Sequence, residues 1–275
     1  VSLVLAPGAF ANFLTPKSGG SPNADSIASL YKIILWLAIV VFVIVEGALV
    51  YSVYRFRAKK SRVAAQIHGN TRLEIGWTVA AAVVLVVITV VTFVKLPSII
   101  NPPNTSANGL LSASLSQPNP PNGKKVTICV QGRQFIWRYV YGAQCANNAF
   151  NSKLPYSYQE MYAPSNTTVV LVIQSTDVIH SWWVPSLGGK VDAVPGYTTY
   201  TWFKSPKNAL YHGNCAQLCG RNHAAMTALV NVMDPAAYQA RLRQLSAEIS
   251  QQNAQVTQLR QVLQQSGNLV PSPNP

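Results

Sequence analysis

The chain has 275 residues, 49% of them apolar and only 11% charged, against roughly 25% charged in an ordinary soluble domain. That deficit excludes a wholly water-exposed globule and calls for membrane-embedded surface. The 21 Lys and Arg outnumber 8 Asp and Glu, a formal net charge of +13; nucleic acid is not among the partners expected.

Residues 1–29 form an N-terminal segment whose opening, VSLVLAPGAFAN, resembles the tail of a signal peptide with a small-residue cleavage site. Two runs follow, 30–54 (LYKIILWLAIVVFVIVEGALVYSVY) and 75–96 (IGWTVAAAVVLVVITVVTFVKL). At about 1.5 Å per residue each is long enough to cross a hydrocarbon core about 30 Å thick. Both are apolar on every face, which does not suit a soluble helix. The loop between them, 55–72, carries six Lys or Arg and no acid. A short basic loop is cytoplasmic, so residues 30–96 are expected to be a transmembrane hairpin with both chain ends outside.

Residues 97–125 are rich in Pro, Asn and Ser and read as a linker. Short β-type runs follow at 126–130, 135–141, 167–174, 180–184 and 198–203, parted by turn residues with no helical period between them. This predicts an all-β sandwich or barrel over 126–234. From 235 the period changes: Leu242, Leu245, Ile249, Val256, Leu259 and Leu263 keep 3–4 spacing, with Gln252 in the missing slot. An amphipathic helix of roughly thirty residues is expected within the 235–275 extension, its stripe packed on a neighbouring surface.

The chemistry concentrates in CAQLCGRNHAAM, residues 215–226. Cys215 and Cys219 could pair locally, but short-range cysteines rarely meet disulfide geometry. Zinc favours Cys and His and seldom takes a thioether, whereas the Met226 sulfur is a soft ligand that selects copper. A single blue-copper ion needs one cysteine, which leaves the second thiol surplus unless it bridges a second copper. The bridged pair needs another imidazole, and His180 in DVIHSWWVP is the candidate. A weak axial donor near the thiols would be the backbone carbonyl of Gln217.

The stretch YHGNCAQLCGRNHAAM, residues 211–226, resembles the dinuclear copper A motif of cytochrome c oxidase subunit II; DVIHSWWVP and KVDAVPG resemble that family's other signatures. The resemblance covers roughly 27–235. It implies two N-terminal membrane helices and a cupredoxin-like outer domain. It assigns His180 and Met226 to one copper, His223 and the Gln217 carbonyl to the other, with Cys215 and Cys219 bridging both. It further implies a bacterial plasma-membrane protein with its N-terminus and copper domain on the extracytoplasmic side. There the chain would accept electrons from a periplasmic cytochrome c or copper protein. It would pass them to haem in a catalytic subunit I, which carries haem and further copper, reduces dioxygen and pumps protons. Other oxidase subunits and membrane lipid complete the implied partners.

Several residues depart from the family pattern. Gln217 stands where glutamate is usual, keeping the carbonyl but losing the carboxylate that reaches a magnesium ion at the subunit interface. Hard divalent cations prefer carboxylates, so that magnesium site is expected to be weak or absent. In VQGRQFIWRYVYG, Phe135, Trp137, Tyr139 and Tyr141 alternate along one strand face. The segment resembles the family's electron-uptake point, with Phe135 at the place usually held by tryptophan. From Pro97 onward 12 basic residues face 5 acidic ones, which disfavours a strongly basic donor. Cys129 and Cys145 flank the aromatic strand and are a disulfide candidate, contributing roughly 3 kcal/mol for such a loop.

In the membrane, Glu46 inside the first helix is expected to face protein, because a charge there is costly. Glu74 in TRLEIGWT resembles the family's glutamate at a proton-channel mouth, while a helix-start acid also suits the dipole. His68 and His212 are assigned to no metal. The rival reading is a membrane-tethered copper chaperone or thiol oxidoreductase, which would need a thioredoxin-like βαβ domain and no methionine ligand.

Overall fold

The computed structural model describes residues 15–57, 66, 68–102, 125–142 and 154–266. Two long helices, α1 (Pro22–Arg55) and α2 (Thr71–Ile100), lie against one another. Both meet the length and hydropathy of a membrane span, and α2 buries no residue. Helix α1 begins eight residues before the predicted apolar run, opened by Pro22 in its first turn after Ser21. At 34 residues it is about 51 Å long, more than a bilayer core requires. Helix α2 continues through Pro97 to Ile100, so the linker expected from residue 97 starts later; residues 103–124 lie outside the described residues.

The surplus length docks on the outer domain. The Ser21 hydroxyl makes no cap bond to its own helix and accepts instead from the Lys204 backbone N–H at 3.0 Å. Asn23, buried, donates its Nδ2 to the Trp202 carbonyl at 2.8 Å, and the Trp202 Nε1 donates to the Ile99 carbonyl at 3.1 Å. One strand thus holds the lipid-leaving ends of both helices.

That outer domain is a sandwich of ten strands: β1 (Lys125–Arg133), β2 (Ile136–Tyr141), β3 (Tyr156–Tyr158), β4 (Glu160–Pro164), β5 (Thr168–Ser175), β6 (His180–Trp183), β7 (Val191–Ala193), β8 (Thr199–Phe203), β9 (Ala209–Cys215) and β10 (Thr227–Met233). One sheet runs β3-β2-β1-β5-β8, the other β4-β10-β9-β6-β7, with β1/β5 and β4/β10 parallel and the remaining neighbours antiparallel. Inward residues of both sheets, among them Ile128, Trp137, Leu171, Trp182, Val184 and Val230, form one core. The five predicted runs map onto β1, β2, β5, β6 and β8; the other five strands were not anticipated.

Helix α3 (Pro235–Gln265) has the predicted extent, and its stripe divides. Tyr238, Leu245 and Ile249 are buried on the sandwich edge, where Tyr238 meets Tyr141 edge-on and Arg241 stacks over Tyr162. Val256 and Leu259 on the distal half are exposed, and Leu263 is half-buried.

Candidate metal centre

Strand β9 delivers Cys215 to the domain end, and the chain then loops through Gln217 and Cys219 to a short 3₁₀ turn (His223–Ala225) before Met226 and β10. The loop is closed by its own backbone: the Cys215 N–H donates to the Met226 carbonyl at 2.9 Å, and the Ala216 N–H to the Ser181 carbonyl at 2.8 Å. The second bond ties the cysteine loop to the strand that carries His180. Cys215, Cys219, Met226 and His180 are all buried.

The sulfurs of Cys215 and Cys219 lie 3.9 Å apart and are free thiols, well beyond a disulfide bond of about 2.05 Å. Around them converge His180 Nδ1, 3.9 Å from Cys215 Sγ, and His223 Nδ1, 3.6 Å from Cys219 Sγ. Met226 Sδ is 4.0 Å from Cys219 Sγ, and the Gln217 carbonyl is 3.3 Å from Cys215 Sγ. The metal-binding atoms of His180, Cys215 and Cys219 lie within 4.8 Å of one another. All six residues named from the sequence meet at one place.

Supporting residues were not named from the sequence. The Asp177 Oδ1 takes the His180 Nε2 at 2.9 Å, which turns Nδ1 toward the sulfurs. Asp177 is itself held by the backbone N–H groups of Gln134 and Val178, each at 2.7 Å. The Gln134 Nε2 donates to the Cys219 carbonyl at 2.6 Å. The D-x-x-H spacing of Asp177 and His180 was a readable signal; Gln134, 85 positions from Cys219, offered none. Two glycines permit these approaches: a Cβ on Gly132 would sit 2.9 Å from the His180 ring, and one on Gly220, at φ +135°, would sit 2.9 Å from Gln134 Nε2.

Electrostatics separate the two thiols of the metal-free site. Burial raises the Cys215 thiol, but the hydrogen bond with His180 and then backbone groups of Ser181 and Gln217 outweigh it, bringing it to about 6. Burial, followed by repulsion from Cys215, pushes Cys219 up to about 11. His180 is disfavoured as a cation by burial, yet its bonds to Cys215 and Asp177 hold it above the usual imidazole value. Asp177, despite burial, is held below the usual carboxylate range by the Gln134 N–H and then by His180.

The aromatic row is sorted by depth. Trp137 and Tyr139 are fully buried, as period two on an inward strand face requires. The Trp137 ring meets His180 edge-on at 5.8 Å, and the Tyr139 hydroxyl accepts from Trp182 Nε1 at 3.4 Å. Phe135, just before β2, is half-buried, so of these three only it reaches solvent. Cys129 is buried and disulfide-bonded, while Cys145 lies outside the described residues. Glu74 caps α2: its Oε1 accepts from the Asn70 N–H at 3.4 Å, as Asn70 Oδ1 accepts from Leu73 N–H at 3.2 Å. Glu46 lines an otherwise apolar groove of about 420 Å³ between α1 and α2, with Phe42, Val84 and Ile88. His68 and His212 are exposed.

Residues 126–233 match the family model for the periplasmic domain of cytochrome c oxidase subunit II, and residues 11–94 match that for its transmembrane domain. The chain belongs to the cytochrome c oxidase subunit II family. It is 32% identical to cytochrome c oxidase subunit 2 of Cereibacter sphaeroides, over 83% of this chain and 81% of that protein. It is also 32% identical to the Alkalihalophilus pseudofirmus protein of that name, over 86% of this chain but spanning 64% of the relative's length. Among solved structures, the periplasmic domain of subunit II from Bradyrhizobium japonicum aligns at 26% identity and a TM-score of 0.40, over 45% of this chain and 95% of that one.

Subunit II membership makes this a membrane-anchored component of a haem-copper oxidase, an oxidoreductase complex, with a periplasmic cupredoxin-like domain. The family implies copper A, and the donor set fits it. Three soft buried sulfurs, two imidazole nitrogens and one carbonyl converge, with one imidazole already aimed by a carboxylate. The rival thiol oxidoreductase is not favoured: among the described residues no α-helix intervenes between any two strands.

Proposed function

We propose that this subunit takes electrons from a periplasmic donor at a dinuclear copper A centre and passes them to haem in the catalytic subunit. What carries the reading is the convergence of four further donor atoms on the Cys215 and Cys219 sulfurs. When bound, the copper pair supplies a one-electron acceptor whose charge is shared over two metals and two sulfurs. Cys215, Cys219, His180, Met226, His223 and the Gln217 carbonyl would hold it. Burial of the sulfurs excludes water, and the closed donor set leaves no position for a substrate. Asp177 and the Ser181–Ala216 bond keep His180 and the cysteine loop in place, so little has to move as charge arrives.

Dioxygen reduction and proton pumping belong in this reading to subunit I, with its haems and further copper. In this reading the basic loop 55–72 lies in the cytoplasm of a bacterium, with both chain ends and the copper domain outside the plasma membrane; the excess of Lys and Arg in the loop supports it. Phe135 is the surface end of the electron path, with Trp137 and Tyr139 packed behind it. Gln217 leaves the interface magnesium weak or absent. Glu74 stands at the cytoplasmic start of α2, where a proton channel of the partner would open. Cys129 pairs with Cys145.

A copper count with near-infrared and electron paramagnetic resonance spectroscopy on the purified oxidase tests the centre. Two coppers per chain sharing one unpaired spin are expected; one copper, or zinc, overturns the reading.

A further inference from the structure

A donor has to touch this domain where solvent comes near the copper loop, and the face around Phe135 is one such place. The half-buried Phe135 meets the loop there: a Cβ on Gly220 would lie 3.0 Å from its ring, and the adjacent Gln134 bonds the Cys219 carbonyl. Arg133 lies one residue before Gln134, and Arg221 one residue after Gly220. Both are exposed, and among the described residues neither forms an ion pair. Arg133 also lines an open polar recess of about 490 Å³ with Gln134, Thr176 and Asp177.

The acids that could balance them are already engaged. Asp177 receives two backbone N–H groups and His180. Glu160 holds Asn231 and Tyr162, Asp192 is 3.8 Å from Lys190, and Glu248 meets Arg241 and Gln244. Asp234, at the start of α3, is the one acid beyond Pro97 with no side-chain partner among the described residues. Asp177 keeps its charge in this recess, but Arg133 and Arg221 together outnumber it, so the Phe135 face is locally positive as well as part of a basic domain. Guanidinium forks pair well with carboxylates.

We propose that Arg133 and Arg221 rim the docking surface for an acidic, soluble redox protein, whose carboxylates meet these two side chains with Phe135 between them. The proposal rests on the copper A reading and adds to it the partner's charge and the contact residues. Steered encounter of this kind is fast and falls steeply with salt.

The test uses the intact oxidase with two purified soluble cytochromes, one acidic and one basic. Binding is measured by calorimetry, and the second-order reduction rate by stopped flow, from about 10 to 300 mM salt. The acidic donor is expected to react faster at low salt. Arg133→Glu with Arg221→Glu should slow it about ten- to hundredfold there, and Arg133→Gln with Arg221→Gln by a smaller factor. Arg260→Glu, on the distal half of α3, makes a like charge change away from this face and should alter the rate less than twofold. Faster reaction with the basic donor, or equal loss from Arg260→Glu, overturns the docking surface. So does an unchanged rate in both double variants, the outcome if a partner subunit covers this face. Copper counted in each variant separates the two failures: fewer than two coppers in the unaltered protein sinks the copper A reading, whereas two coppers with donor rates indifferent to Arg133 and Arg221 sink only the docking surface.

Discussion

In the copper cradle, His180 and Met226 are 0% exposed, and the ligand loop is tied by backbone bonds to Ser181 and Met226 itself. In the membrane hairpin, α2 buries nothing, and Phe42, Val86 and Val94 are 63%, 61% and 73% exposed. The cradle buries and ties its ligand residues within one domain. The hairpin has left its apolar surface for lipid and for other subunits, as lengths of helix apolar all round must. The difference teaches where each region's stability resides: in cross-strand hydrogen bonding and burial for one, and in surroundings outside the chain for the other.

Substitutions can break or sharpen that contrast. The largest effect is expected from Cys215→Ser, which removes one bridging sulfur; the copper count should fall from two to at most one, with loss of the near-infrared band. Asp177→Asn should leave the ligands in place but loosen the His180 ring, lowering copper affinity about 10–100-fold in a competition titration with a chelator.

Acid should act on the cradle through Cys215. In metal-free protein, the thiolate of Cys215, brought to about 6, forms first as pH rises. Alkylation by iodoacetamide should therefore climb about tenfold per pH unit below 6 and level off above it. Mass mapping should place the label on Cys215 ahead of Cys219, which is pushed up to about 11. Preferential labelling of Cys219 would reverse the assignment.

At the seam between the regions, Asn23→Ala leaves the Trp202 carbonyl without its partner and should cost about 1–3 kcal/mol, read as a lower thermal midpoint in detergent. Val86→Ala on the outward face of α2 should shift the isolated subunit by no more than about 0.5 kcal/mol. A larger loss there would mean that the hairpin carries its own packed core.

The cradle was the more legible region because five of its six ligands fall within twelve residues and their donor atoms are chemically selective. His180 came from a second short motif. What escaped was support that arrives through the fold: Gln134 reaches Cys219 across 85 positions, and Asp177 meets the Gln134 backbone across 43. Periodicity found the long or strongly β-branched strands but missed β3 and β7, at three residues each. It also missed β9, whose alternation is masked by Gly213 and Asn214. In the hairpin, hydropathy located the spans yet said nothing of their ends. Polar residues 22–29 hid the first turns of α1, and the Ser21 hydroxyl that would mark its start is spent on Lys204. For α3 the stripe was legible in full, but not that only its first half finds a surface.

Strand β8 grips both helices near their ends on the outer domain, through Asn23 and Ile99, and Lys204 just beyond it holds Ser21. A ligand loop on a swinging domain would sit at a varying distance from the helix ends; this domain is fastened to both of them. The brace makes the position of the Cys215–Cys219 loop relative to both helices a property of the folded subunit, ready before any neighbour arrives.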